Sequence, residues 1–334
     1  MGATYLRFVL FAFACFYSFG FPDPSGTVET LSRFAIPAFF TLSGYFVLCD
    51  DEQRRSRKIV RKIKRTALWF VCILIVYIIV NVVFCLIFDV SVVFSKRVIF
   101  EFIVLDQWPL PIGINMWFIQ AELYAYIVIF ILDKLKLLRF YKIILAVSLL
   151  FMLLTGELAG VIHFNFLGYG FINSNWLTRA LPYILLGMLM RKNTEFFLKF
   201  KSWGYLVMFI LGIGLSLCEI YLLNRFGALV YIGHMIGYGV MAFAACGWAI
   251  KFPWLPSSQI TKFGTAYISL MYALSEPAYY VLLLALEKSN SALAYAFIGP
   301  ATFLVIAVAA LSILNVREYI IKKRNDRRFR YFHE

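Results

Sequence analysis

The residues of this chain with capacity for chemistry are ionisable side chains set inside long apolar runs: Arg7, Arg33, Glu122, Arg179, Glu219, His234 and Glu276. A charge at the centre of a membrane span costs at least about 2.5–3.5 kcal/mol on insertion scales, so each marks a candidate functional position. Glu122 lies in NMWFIQAELYAY, where Gln120 and Tyr126 add polar groups. The i, i+4 spacing of Glu122 and Tyr126 puts them on one helix face. Glu276 lies in MYALSEPAYY, directly before Pro277. The proline frees a backbone carbonyl, and Ser275 beside it completes a polar notch. Glu122 and Glu276 are therefore the leading candidates for a functional role. Glu219 and His234 read as packing positions, His234 standing among Gly233, Gly237 and Gly239. Arg7, Arg33 and Arg179 lie near span ends, where a long side chain can snorkel to the interface. The plainer reading is that the glutamates pair with these arginines and hold the bundle together.

Other chemistries find no support. There is no G-x-S-x-G, Walker or H-E-x-x-H motif, and the histidines are His163, His234 and His333 alone. Cys15, Cys49, Cys72, Cys85, Cys218 and Cys246 fall in or beside apolar runs and form no C-x-x-C pair, so buried thiols are expected rather than disulfides or metal ligands.

The elements that must carry these residues follow from composition. The chain is 62% hydrophobic and 15% charged, with a mean hydropathy of +0.82. Soluble domains are about half apolar and a quarter charged. Apolar runs recur at 4–21, 29–49, 67–88, 115–132, 143–163, 176–190, 204–222, 229–250, 266–286 and 293–315, most long enough to cross a hydrocarbon core. The expectation is an all-α polytopic membrane protein: one integral domain over 1–316 and a basic tail over 317–334. The first run lacks a basic n-region and carries Arg7, so it reads as a membrane helix rather than a signal peptide.

Of 32 lysines and arginines, 25 fall in alternate connections and the tail. That side is expected to be cytoplasmic, with both termini, in a plasma membrane. The net charge of +14 is thus gathered in short loops facing lipid headgroups, which argues against nucleic acid. The richest segment, RRSRKIVRKIKR, is continuous with the span that follows and is expected to form an amphipathic juxtamembrane helix lying on the anionic leaflet, at about 1 kcal/mol per basic residue. It anchors topology or attracts a polyanionic ligand.

Five segments in order carry a resemblance: TYLRFVLFAFACFYS, SRFAIPAFFTLSGYFVL before the basic stretch, NMWFIQAELYAY, TRALPYILLGMLMRK and AYISLMYALSEPAYYV. Together they resemble the membrane acyltransferase family 3, ten-span proteins that acylate cell-surface sugars and related acceptors. The FF-x-x-SGYF turn (Phe39, Phe40, Ser43, Gly44, Tyr45, Phe46) and the Trp117, Glu122, Tyr126 pattern are its most specific parts. In that family an arginine is followed, after ten residues, by a histidine taken as catalytic. Arg7 matches, and Ser18 stands at the histidine position; Asn115 and Ser275 stand at two further positions where the family often has histidine. Serine has no ionisation near neutrality and cannot serve as a general base.

The resemblance implies transfer of an acyl group, acetyl in the first instance, from acyl-CoA as co-substrate to a hydroxyl or amine of a cell-surface glycan or similar acceptor. Arg7 and Arg33 would then handle donor phosphates or the carbonyl oxygen, and Glu122 or Glu276 would deprotonate the acceptor at a site including Ser18. Ser43, Asn115, Trp117, Tyr126 and Arg179 would line the binding site, with no bound cofactor or metal. The alternative is a member that has lost catalysis and binds or moves a small polar solute. A purely structural or partner-binding role is the third possibility.

Overall fold

The computed structural model describes residues 2–49, 51–89, 95–113, 115–156, 158, 160–161, 175–227, 235–252, 268–287 and 295–331. It is helical, with no strand among these residues. In chain order the helices are α1 (Gly2–Phe19), α2 (Thr27–Ser32), α3 (Ala35–Val47), α4 (Glu52–Phe88), α5 (Lys96–Leu105), α6 (Met116–Lys134) and α7 (Tyr141–Thr155). They continue with α8 (Leu181–Lys192), α9 (Thr194–Lys199), α10 (Ser202–Arg225), α11 (Ile236–Lys251), α12 (Ile268–Glu287) and α13 (Ile298–Tyr331). Within the described residues each of the ten expected spans overlaps one of these helices or a broken pair. Among the described residues five helices are long and apolar enough to cross a membrane, including Gly2–Phe19, Glu52–Phe88 and Ser202–Arg225. Shorter apolar helices lie at Ile236–Lys251, Leu274–Leu286 and Ile298–Ile313. Leu68, Ile75, Ile79, Val82 and Leu86 form an exposed apolar stripe along α4, the face that meets lipid.

Two prolines shape the elements that carry the arginines. The span expected at 29–49 is broken into α2 and α3. Pro37 lacks an N–H, and its ring would clash with the carbonyl four residues back, that of Arg33. The chain therefore turns at Arg33–Phe34. Pro182 acts the same way on Thr178. The turn Trp176–Ala180 that leads into α8 is accordingly a π-helix, a form common at functional positions.

α3 and α8 are locked together by glycine. A Cβ on Gly44 would stand 1.9 Å from the Ile184 carbonyl oxygen, and one on Gly187 1.9 Å from that of Thr41. Only backbone can approach backbone so closely. The glycine of SGYF is thus a helix-contact residue.

The basic stretch is helical and continuous with the span that follows, as expected: it is the start of α4, one uninterrupted helix of 37 residues, about 55 Å long, with no proline or glycine between Glu52 and Phe88. One expectation needs correction. Arg179 does not snorkel to an interface. It is 3% exposed, since the π-helical turn aims it inward.

Candidate functional site

Polar side chains gather at two poles of the bundle. At the pole bearing the basic loops, Glu122 of α6 takes two hydrogen bonds on Oε1, one from the Ser43 hydroxyl at 2.7 Å and one from the Tyr126 hydroxyl at 2.8 Å. Oε2 accepts none from the described residues, which leaves its lone pairs for a ligand. Cations surround this carboxylate. Arg7 of α1 lies over the Phe46 ring at 5.1 Å and within electrostatic reach of Glu122, Tyr126 and Arg65. Lys62 of α4 lies over the Tyr126 ring at 5.9 Å. Glu122 lies within electrostatic reach of the Lys62 ammonium. The SGYF motif organises the pocket residue by residue. Ser43 holds Glu122, Gly44 lets α8 approach, Tyr45 takes a hydrogen bond from Arg191 at 3.3 Å, and Phe46 carries Arg7.

At the other end of α1 and α6 the three positions where the resemblance implies histidine come together. Ser18 Oγ donates to Asn115 Oδ1 at 3.4 Å, and Asn115 Nδ2 donates to Ser275 Oγ at 3.5 Å. Tyr272 donates to the same Asn115 oxygen at 3.2 Å. All four groups are neutral hydrogen-bonding partners, so this cluster can hydrogen-bond a polar ligand and has no group suited to take a proton near neutrality.

Glu276 has a different task from Glu122. Its Oε1 accepts from the Gly113 amide at 2.8 Å and its Oε2 from the Asn115 amide at 3.2 Å. Tyr77 hydrogen-bonds the same carboxylate. A carboxylate on amides just before a helix start is well matched to the helix dipole. Asn81 grips the same loop, donating to the Ile112 carbonyl at 2.6 Å and accepting from its amide at 2.9 Å. Trp108 Nε1 donates to that carbonyl at 2.7 Å. Together these bonds fix where Asn115 enters α6.

Arg7 and Arg33 do not share a site. Thirteen residues of the α3 unit separate Arg33 from the ring of Phe46, about 20 Å along a helix. Arg33 instead lies over Tyr17 at 4.6 Å, beside Ser18. Arg179 lies over Trp117 at 5.4 Å and within reach of Tyr238 and Tyr272. Glu219 accepts from the Gly237 amide at 3.2 Å. His234 falls outside the described residues. Phe118 stands between the poles, stacked on Phe40 at 4.6 Å and tilted against Tyr272 at 5.1 Å.

Asp106, in the loop after α5, takes the Trp176 amide on Oδ2 at 2.7 Å and so fixes the π-helical turn that carries Arg179. Burial pushes its carboxyl up to about 8. Sequence reasoning passed over Lys62, Tyr77, Asn81, Asp106, Tyr238 and Tyr272. Asp106 and Asn81 were detectable as lone polar residues in or beside apolar segments; the tyrosines carried no signal. Among the described residues no group of three or more His, Cys, Asp or Glu could hold a metal ion.

A family model described as an acyltransferase domain matches residues 5–313. No curated protein and no solved structure matches significantly. The match spans the helices that build both poles, from α1 into the first half of α13, and the chain belongs to the membrane acyltransferase family 3.

Proposed function

We propose that this membrane acyltransferase takes an acyl group, in the simplest case acetyl, from acyl-CoA and gives it to a hydroxyl or amine of a cell-surface sugar or similar acceptor. The observation that carries the reading is the Glu122 pocket: one oxygen held by Ser43 and Tyr126, the other without a partner among the described residues, with Arg7 and Lys62 in electrostatic reach. Acyl-CoA approaches from the cytoplasmic side, where the basic start of α4 attracts its phosphates. The acceptor enters from the opposite pole, oriented by Ser18, Asn115 and Ser275, and the Phe118 ring yields to let the two meet. Glu122 takes the proton of the acceptor hydroxyl as its oxygen attacks the thioester carbonyl. The carbon–sulfur bond breaks, and CoA thiolate leaves and takes the proton. Arg7 or Lys62 steadies the oxyanion that forms on the carbonyl oxygen. Glu276, committed to two backbone amides, positions the Asn115 loop.

The neutral character of the Ser18–Asn115–Ser275 cluster favours a second reading, in which the protein binds or moves a small polar solute. Purified protein assayed for acyl-CoA turnover, and reconstituted in liposomes for solute uptake, separates the two. Uptake with no turnover would remove the enzyme reading.

A further inference from the structure

We infer that the pole opposite the basic loops recognises an oxyanion, a carboxylate or phosphate on the bound molecule, through Arg33, Arg179 and Tyr238.

Arg33 is held by the Pro37-induced turn with its guanidinium over Tyr17. Its carboxylate neighbour is Glu29, 3.8 Å away and 43% exposed, a contact of small value in solvent. Arg33 Nε is buried and has no hydrogen-bond partner. Tyr238 of α11 is 1% exposed, and its hydroxyl is likewise buried without a partner. Arg33, Arg179, Glu219 and Tyr17 are its electrostatic neighbours. Two buried donor groups therefore lie within electrostatic reach of one another, neither hydrogen-bonded to an acceptor among the described residues.

A buried donor left unmade costs about 1–3 kcal/mol, and native structures rarely tolerate it without a ligand or water. Arginine donates only, so the missing partner offers lone pairs. Charge then chooses among acceptors. Glu219 supplies one negative charge here and is already bonded to the Gly237 amide. It offsets one of the two arginines, and the exposed Glu29 offsets the other only weakly. Among the described groups around Tyr238 the balance of charge is positive, two arginines against Glu219, which favours an oxyanion over a neutral hydroxyl. Guanidinium groups bind carboxylate and phosphate through short charge-assisted bonds.

Placement ties this region to the reacting molecule. Tyr17 under Arg33 adjoins Ser18, and Arg179 lies near Tyr272, whose hydroxyl bonds Asn115. An anion between Arg33 and Tyr238 thus lies beside the Ser18–Asn115 cluster. That the bound molecule is the acyl acceptor rests on the proposed function; that it is an oxyanion rests on the donors alone. Acidic sugars, either uronic acids or sugar phosphates, combine this charge with hydroxyls for acylation.

The test uses the purified full chain in neutral detergent, with glucuronate, glucose 1-phosphate and glucose as ligands, read by thermal unfolding. At least one acid should raise the unfolding temperature where glucose does not, and the responding acid tells carboxylate from phosphate. Arg33→Gln should weaken that binding about 10- to 100-fold, as expected for a charge-assisted bond. Tyr238→Phe, which keeps the ring, should weaken it by a smaller factor. Stabilisation by glucose equal to that by both acids, or undiminished acid binding in both variants, would overturn the inference. Acyl-CoA turnover measured on the same samples keeps the two ideas apart. Acid binding without turnover supports the oxyanion site and sinks the transferase reading; turnover with glucose accepted as well as the acids does the reverse.

Discussion

Gly44→Ala is the substitution whose outcome the packing determines most sharply. An added Cβ would stand 1.9 Å from the Ile184 carbonyl oxygen, 2.7 Å from its carbon and 2.8 Å from its Cα. An ordinary van der Waals contact needs about 3.5 Å, so α3 and α8 must separate by more than an ångström, and every atom in the way is backbone. Overpacking of this kind costs about 1–3 kcal/mol, occasionally more. The functional cost follows from the neighbouring residue. Ser43 holds Glu122 at 2.7 Å, and a shift of an ångström breaks that bond; misplacement on this scale can cost about 100-fold in rate. Gly214 is the control, because a Cβ there meets nothing within 4 Å. Gly214→Ala in the same kind of helix should be neutral or slightly stabilising, as alanine is the better helix former. Thermal unfolding in detergent and acyl-CoA turnover would be measured for both variants. If Gly44→Ala unfolds no earlier than Gly214→Ala and turns over at the wild-type rate, the account of SGYF as a backbone-contact motif fails.

Further outcomes follow from the other pole and its loops. Asp106 has a carboxyl raised to about 8, against an ordinary value near 3.9. The folded state keeps the proton that the unfolded chain releases, so this stability is complete below about pH 4 and is lost as pH rises through about 8. Asp106→Asn should flatten that part of the stability profile, and a profile identical to wild type between pH 4.5 and 8.5 would count against it. Glu276→Gln sets an amide NH2 against one of two backbone N–H donors. It should destabilise the protein by about 1–3 kcal/mol, seen as a lower unfolding temperature; wild-type stability with abolished turnover would instead make Glu276 a catalytic group. Ser18→His places an imidazole beside Asn115 and should raise acyl-CoA turnover, whereas unchanged turnover would show that this position does not limit the chemistry.

The helices were legible because composition alone forces them: an apolar run of about 20 residues has few other fates. The breaks were written in the sequence too, as Pro37 and Pro182, but their effect falls four residues upstream, on Arg33 and Thr178. It shows only when the carbonyl each ring displaces is considered. The partnership of Glu122 with Tyr126 was readable from helical spacing. Its partnership with Ser43 spans 79 residues, and that of Ser18 with Asn115 spans 97. Such contacts depend on how helices dock. For the same reason Glu122 and Glu276 looked alike as membrane glutamates, while the fold gives one a free oxygen and the other two backbone amides.

The central claim is that Glu122 takes the acceptor proton in an acyl transfer, and the most direct measurement is acyl-CoA turnover by purified wild-type protein beside Glu122→Gln. The account predicts slow turnover in the wild type and none in Glu122→Gln, with both unfolding at similar temperatures. Equal turnover in the two proteins, or no turnover in a well-folded wild type, would contradict it.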